Sequence, residues 1–215
     1  MRRCGRRLPV AFYARPTLEV LADIIGKVLV HDHPDGRTAG IIVEAEAYIG
    51  EDDPACHAAA GRTARNVPLY GEPGRAYVYL NYGLHHLMNA VTEREGHPAA
   101  VLIRALQPLE GRALMRRRRN RAPWRAGKPP VADHDLCRGP GNLTRALGIT
   151  LDDNLCSLSR GPLTIRDLGH ARGTVAWSSR VGIRVGTDRL WRASVAGHPS
   201  VSRPSPEPRA QSPKP

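Results

Sequence analysis

The chain has 215 residues, 41% of them hydrophobic and 24% charged, with a formal net charge of +12. That length suits one domain with a full core, and no apolar run approaches the ~20 residues of a membrane-spanning helix. The basic start, MRRCGRRLPVAFYARP, lacks the apolar stretch of a secretory signal, and the cysteines include no C-x-x-C pair, as in a cytoplasmic protein with reduced thiols.

In chain order, RPTLEVLADIIGKVLV sets Leu18, Leu21, Ile25 and Val28 at amphipathic-helix spacing, with Thr17 as its N-cap. HPDGR supplies a turn before a long strand over residues 38–49. Strand-like runs follow at RAYVYLNYG, HHLMNAVTE and AAVLIRALQ. The short turns between them favour antiparallel pairing over βαβ crossovers. PLEGRALMRRRRNR reads as a helix starting at Pro108, APWRAGKPPVADHD as a loop, and GPGNLTRALGI as a helix behind two glycines. Strands recur at GPLTIRDL, SSRVGIRV and LWRASVAG. Residues 1–7 read as a basic extension, 8–203 as the folded domain, and the Pro/Ser-rich residues 204–215 as a disordered tail. The expected fold is a mixed α/β single domain around an antiparallel sheet.

The charge points to a polyanionic partner, most simply nucleic acid. A chain rich in Ala, Gly, Pro and Arg and nearly free of Lys also fits a genome-wide compositional bias, so charge alone does not decide.

One stretch runs against the basic balance. Five carboxylates lie between Glu44 and Asp53, followed by His57, Arg62 and Arg65. Strand alternation puts Ile41, Val43, Ala45 and Ala47 on one apolar face, which reads as core, and Ile42, Glu44, Glu46 and Tyr48 on the other. The next strand puts Tyr77, Tyr79 and Asn81 on one side, and four of the six tyrosines (Tyr70, Tyr77, Tyr79, Tyr82) crowd into one short region. Singly, each has an ordinary explanation: a solvated strand Glu, a surface His, a Tyr with β-propensity. Together, tyrosines beside carboxylates and arginines suit a pocket that stacks a flat ring and does acid–base chemistry on it.

The blocks VEAEAYIGEDDPACHAAAGRTARN, GRAYVYLNYGLHHLMNAVT, AAVLIRALQPLEGRALMRRRR, DLCRGPGNLTRALGI, RGPLTI, RVGI and GHPSVSR carry a resemblance. In this order, over about residues 8–203, the chain resembles the alkyladenine (3-methyladenine) DNA glycosylase family. The resemblance implies a compact fold with a curved antiparallel sheet flanked by helices. It also implies a monofunctional glycosylase that excises alkylated or deaminated purines. The expected partner is double-stranded DNA, the expected state a monomer, and no cofactor or metal is expected.

Carried over by motif, Glu46 activates the attacking water, Arg104 helps to position it, and Val201 lends it a carbonyl. Tyr48, His57 and Tyr79 sandwich the flipped base, and the His57 N–H reads its 6-position edge. Asn89 crowds the 2-amino group of normal guanine, and Tyr82 wedges into the duplex. Beside these, the arginine surface around the acidic strand, with Arg62 and Arg65, reads as phosphate attraction. The family carries Lys in its G-P-x-K-L block where this chain has Asn142, which leaves helix N–H groups around Gly141 to hold a phosphate.

The chemistry matches the residue types. N-glycosidic cleavage passes through an oxocarbenium-like sugar, which a carboxylate stabilises while taking a proton from water. A glycosylase/lyase needs an amine, and only Lys27, Lys128 and Lys214 are present, in a predicted helix, a loop and the tail. His85 and His86 are adjacent and diverge on a strand, with no other ligand at metal spacing. A non-catalytic nucleic-acid-binding module and a nucleoside hydrolase remain as alternatives.

Overall fold

The computed structural model describes residues 5–203, the side chain of Trp124 aside; the Pro/Ser-rich segment expected to be disordered lies outside them. No helix among these residues is long and apolar enough to cross a membrane.

Part of the basic extension is structured: β1 (Arg6–Arg7) pairs with the strand at Leu163–Asp167, and α1 (Val10–Tyr13) follows. Helix α2 (Thr17–Ile24) buries Leu18, Val20, Leu21 and Ile24. Thr17 does not cap it. Its hydroxyl instead bonds the Glu93 carboxylate at 2.5 Å and Thr92 at 2.8 Å. The helix also stops earlier than its periodicity predicts. Gly26, at φ +86°, turns the chain, and Val28 opens strand β2 (Val28–His33) instead of continuing the helix.

Strand β3 (Gly36–Ile49) is the centre of the molecule, pairing antiparallel with three others. Strict alternation fails along it. Ile42 and Ala45 both enter the main core, three positions apart, because the pairing shifts register on either side of Glu44. Such a bulge re-aims side chains: Val43 joins Ala105 and Val201 in a separate cluster instead of the core. From Glu44 onward the expected faces hold, with Ala45 and Ala47 in the core.

Strands β4 (Ala76–Asn81) and β5 (His85–Val91) form a hairpin. Strand β6 (Ala99–Glu110) runs between β3 and β5 and includes Pro108, so the next helix does not begin there. Pro108 lies opposite Gly40, next to a register shift, where a missing ladder N–H is tolerated. The turn falls at Gly111, at φ +78°, where a Cβ would collide with the Arg37 carbonyl oxygen.

Helix α3 (Arg112–Asn120) carries the arginine run, and three of its members brace the fold. Arg116 holds Asp133, Arg118 donates to the last carbonyls of the next helix (Leu147 at 2.7 Å), and Arg119 holds Asn142 near that helix's start. That helix is α4 (Pro140–Leu147).

Strands β7 (Leu163–Asp167), β8 (Val175–Ser178) and β9 (Arg192–Val195) complete a nine-stranded curved antiparallel sheet. Its main order is β1-β7-β2-β3-β6-β5-β4, with β9 joining β3 to β8. SSRVGIRV does not form the expected strand. Residues 179–185 leave β8 as a loop, because the Arg180 side chain turns inward to buried Asp53 and the Val181 N–H is taken by Glu46. Helix α2 and α4 side chains close the main core over one side of the sheet, through residues such as Leu21, Leu143, Ile103 and Met88. The mixed α/β fold is as expected.

Candidate active site

The bulge in β3 turns Glu44 and Glu46 to the side away from the main core, where both are fully buried. Arg104, on neighbouring β6, lies between them. Its Nε donates to Glu44 at 2.9 Å and its Nη1 to Glu46 at 3.2 Å. Each carboxylate offers about four acceptor positions. Glu44 accepts from Arg104, from Arg192 Nε at 2.9 Å, and from the Ser202 N–H and hydroxyl at 2.7 and 2.8 Å. Its capacity is filled. Glu46 accepts from Arg104, from the Tyr48 hydroxyl at 2.9 Å, and from the Val181 N–H at 2.6 Å. One position is left over.

The two acids therefore differ electrically. Burial pushes both upward. For Glu44, Arg104, Arg192 and the Ser202 N–H outweigh that push and hold its pKa below the ordinary value. For Glu46, burial prevails over Arg104, Val181 and Tyr48, and the neighbouring Glu44 charge adds to it, so the pKa is raised. A buried carboxylate with a raised pKa and a spare lone pair is a competent general base.

The three donors to Glu46 (Tyr48, Arg104, Val181) all line a cavity of about 550 Å³, and the carboxylate lies just behind them. His57, Tyr77, Tyr79, Asn81 and Asn89 line the same cavity, as do Gly141 and Asn142. The size suits a small flat ligand. His57 and Tyr79 meet edge to face, with ring centroids 4.5 Å apart and planes at 72°. No ring fits between those two, so they form one wall. His57 keeps accessible surface on the cavity, yet partial burial, and then the Arg65 charge, hold its pKa below the ordinary imidazole value. Its Nδ1 lies 3.0 Å from the Tyr77 hydroxyl. Asn89 is fixed by donating from Nδ2 to the Tyr77 carbonyl at 3.0 Å.

Tyr82 borders the same cavity from the hairpin tip. It is 89% exposed, at φ +49° beside Gly83 at φ +68°, and the Leu84 N–H closes the turn on the Asn81 carbonyl at 3.0 Å. Two central residues at positive φ make a type I′ turn, the tight form that pushes its tip outward. The turn thrusts an aromatic ring into solvent, with Leu84 exposed beside it.

Arg62 and Arg65 are exposed and lie over the rings of Tyr70 and Tyr79, at 5.3 and 5.4 Å. Val201 is not on the cavity wall. Its carbonyl accepts from Arg138 Nε at 2.9 Å, and its side chain packs against Val43 and Ala105. Gly141 lies against His85, where a Cβ would come within 2.8 Å of the ring. Among the described residues no group of three or more His, Cys, Asp and Glu could hold a metal ion.

Sequence reasoning missed the supports of the site. Asp53 and Arg180 form a fully buried pair, Nη2 to Oδ1 at 2.8 Å, and the Arg180 guanidinium lies 4.7 Å from the Tyr48 ring centroid and 5.2 Å from that of Trp191. That stack fixes Tyr48, and the residue after Arg180 gives Glu46 its backbone donor. Arg192 and Ser202 secure Glu44. The only sequence signal was the acidic cluster itself, of which Asp53 is a member. Backbone donors such as Val181 leave no mark in composition.

Residues 11–199 match the family described as Methylpurine-DNA glycosylase (MPG). Three similar proteins carry the name "Putative 3-methyladenine DNA glycosylase". One from Methanocella arvoryzae is 45% identical, covering 93% of this chain and 97% of its own length. One from Chlorobium phaeobacteroides is 47% identical, covering 86% and 89%. One from Rubrobacter xylanophilus is 48% identical, covering 81% and 86%. An acid pair with unequal proton affinities beside an aromatic cavity, a basic chain, and a match over nearly all of its length agree: the chain belongs to the methylpurine-DNA glycosylase family, DNA-repair enzymes that hydrolyse N-glycosyl bonds.

Proposed function

We propose that this chain is a monofunctional 3-methyladenine-type DNA glycosylase that extrudes alkylated or deaminated purines from duplex DNA and cleaves them off with water activated by Glu46. The observation that carries this reading is the single unfilled acceptor position on Glu46, set against the saturated Glu44. A water held there gives up its proton to the carboxylate as it attacks C1′, and the negative charge steadies the oxocarbenium-like sugar. Arg104 keeps the two acids apart and orients Glu46.

A base inside a duplex is out of reach, so it must leave the stack, at a cost of a few kcal/mol that is least for damaged or mispaired bases. The extruded ring lies between Tyr48 and the wall made by His57 and Tyr79, with the His57 N–H at its 6-position edge. Asn89, held rigid by the Tyr77 carbonyl, disfavours a 2-amino group. Tyr82 fills the space left in the duplex, while Arg62, Arg65 and the start of α4 at Gly141 and Asn142 meet the backbone. Of the three lysines, Lys27 is withdrawn from the role of amine nucleophile by its pairing with Asp167 at 2.6 Å on the far sheet edge.

The test is base release from duplexes carrying 3-methyladenine, hypoxanthine or 1,N6-ethenoadenine, with undamaged duplex and free deoxynucleosides as controls. We expect release from at least one lesion duplex, leaving an intact abasic site that breaks only after added alkali. Release from free nucleosides alone would mean a nucleoside hydrolase, and borohydride trapping of a protein–DNA adduct would mean an amine nucleophile.

A further inference from the structure

A second pocket, of about 390 Å³, opens next to the first and shares Asn142 with it. Arg119, Arg125 and Arg138 line it, against one carboxylate, Asp135. Asp135 is already engaged, accepting from Arg138 Nη1 at 3.3 Å. Arg119 is the unusual member. It is only 8% exposed, its Nη1 meets the neutral amide oxygen of Asn142, and its Nε has no hydrogen-bond partner. No ion pair to it is formed among the described residues, whereas Arg104, Arg180 and Arg192, the other strongly buried arginines of the site, each hold a carboxylate. Burial and the nearby Arg145 and Arg125 charges depress its pKa, which marks a guanidinium short of negative charge. Arg125, at the end of the 3-10 turn Pro123–Arg125, also leaves its Nε without a partner.

A desolvated cation without a counter-charge is costly, and a fold that retains one at a pocket wall gains when an anion arrives. Planar guanidiniums with free N–H groups suit tetrahedral oxyanions. We propose that the Arg119–Arg125–Arg138 pocket is a phosphate subsite that takes one phosphodiester of the DNA strand running past the cavity. The reading rests on the DNA-glycosylase assignment only for the source of the phosphate. The shared wall at Asn142 places that phosphate close to the extruded nucleotide, so the subsite holds strand register while the base is out.

The experiment uses the full chain and a lesion duplex in which single phosphates are replaced one at a time by neutral methylphosphonates. Wild type should lose about tenfold in affinity at one position, whereas Arg119→Gln should lose less than about twofold there and respond normally elsewhere. Its binding should also show a salt slope smaller by about 0.9. Arg125→Gln, in the short 3-10 turn Pro123–Arg125 outside the sheet, repeats the cycle independently and decides the matter if Arg119→Gln fails to fold. Inorganic phosphate, compared with chloride at equal ionic strength, should raise the melting temperature of wild type more than that of Arg119→Gln. If phosphate stabilises wild type but no methylphosphonate position couples to either arginine, the pocket takes a free anion and the DNA subsite is overturned. If neither effect appears in either variant, Arg119 is only a brace for Asn142. Failure of base release with this coupling intact would reject the glycosylase reading and leave the subsite standing.

Discussion

Glu44 and Glu46 share one guanidinium, Arg104, yet stand in opposite states: the first saturated with four donors and held ionised, the second left one acceptor short with its pKa raised. The relationship separates a structural acid from a reactive one. Glu46→Gln should abolish base release in single-turnover assays while duplex binding survives. Glu44→Gln should instead strip counter-charge from Arg104 and Arg192, destabilising the fold by about 3–5 kcal/mol. Its folded fraction should keep more activity than Glu46→Gln. The reverse ranking of residual activity would exchange their roles.

The pH dependence follows from the same asymmetry. The reactive form of Glu46 is ionised, so the rate should fall as pH drops through a midpoint above the ordinary carboxylate value of about 4.3. Tyr48→Phe removes a hydrogen bond that favours the ionised form, so the acid limb should move to higher pH. For stability the two acids act oppositely. Glu44, with its pKa lowered, contributes above its ordinary value and loses that contribution as pH falls through its folded pKa. Glu46, with its pKa raised, contributes below its ordinary value and loses that as pH rises through its folded pKa. A single-turnover pH profile of wild type and Tyr48→Phe checks the first point; an unmoved limb would assign it to another group.

Asp53 and Arg180 are both fully buried, and the pair sits under Tyr48 and next to Val181, two of the three donors to Glu46. Asp53→Asn should leave an uncompensated guanidinium, costing about 3–5 kcal/mol and lowering the melting temperature by on the order of 10 °C. Base release should fall more than lesion-duplex affinity, since Glu46 loses its orientation before the DNA surface changes. Equal losses in rate and affinity would mean that the pair merely holds the fold.

Tyr82, 89% exposed at positive φ, has no packing role to lose. Tyr82→Ser should keep a near-wild-type melting temperature while capture of the extruded base weakens. Affinity for undamaged duplex, set mainly by phosphate contacts, should barely change. A lowered melting temperature with lesion preference intact would contradict the wedge.

Asn89 is buried, and its Nδ2 is occupied by the Tyr77 carbonyl. Asn89→Ser should open space at the cavity wall and raise excision of undamaged guanine relative to hypoxanthine. An unchanged ratio would locate discrimination in base extrusion instead.

Local pattern was enough to reveal the sheet-rich α/β class, the β4–β5 hairpin, helix α4 and the clustering of Glu46, Tyr48, Tyr77 and Tyr79, because alternation and turn residues act over a few positions. It failed where a distant partner intervenes. Thr17 left its capping role for Glu93, residues 179–185 gave up strand pairing so that Arg180 could neutralise Asp53, and the bulge at Glu44 broke the alternation that assigned Val43 to the core. The different proton affinities of Glu44 and Glu46 were equally out of reach. The chain itself carries both acids, both arginines and the tyrosines, but which carboxylate ends up one donor short depends on the Val181 and Ser202 N–H groups arriving from remote loops. That arrangement is tertiary because burial makes each missing or extra donor count: in water the two glutamates would be equivalent, and only packing beside shared Arg104 makes one a brace and the other a base.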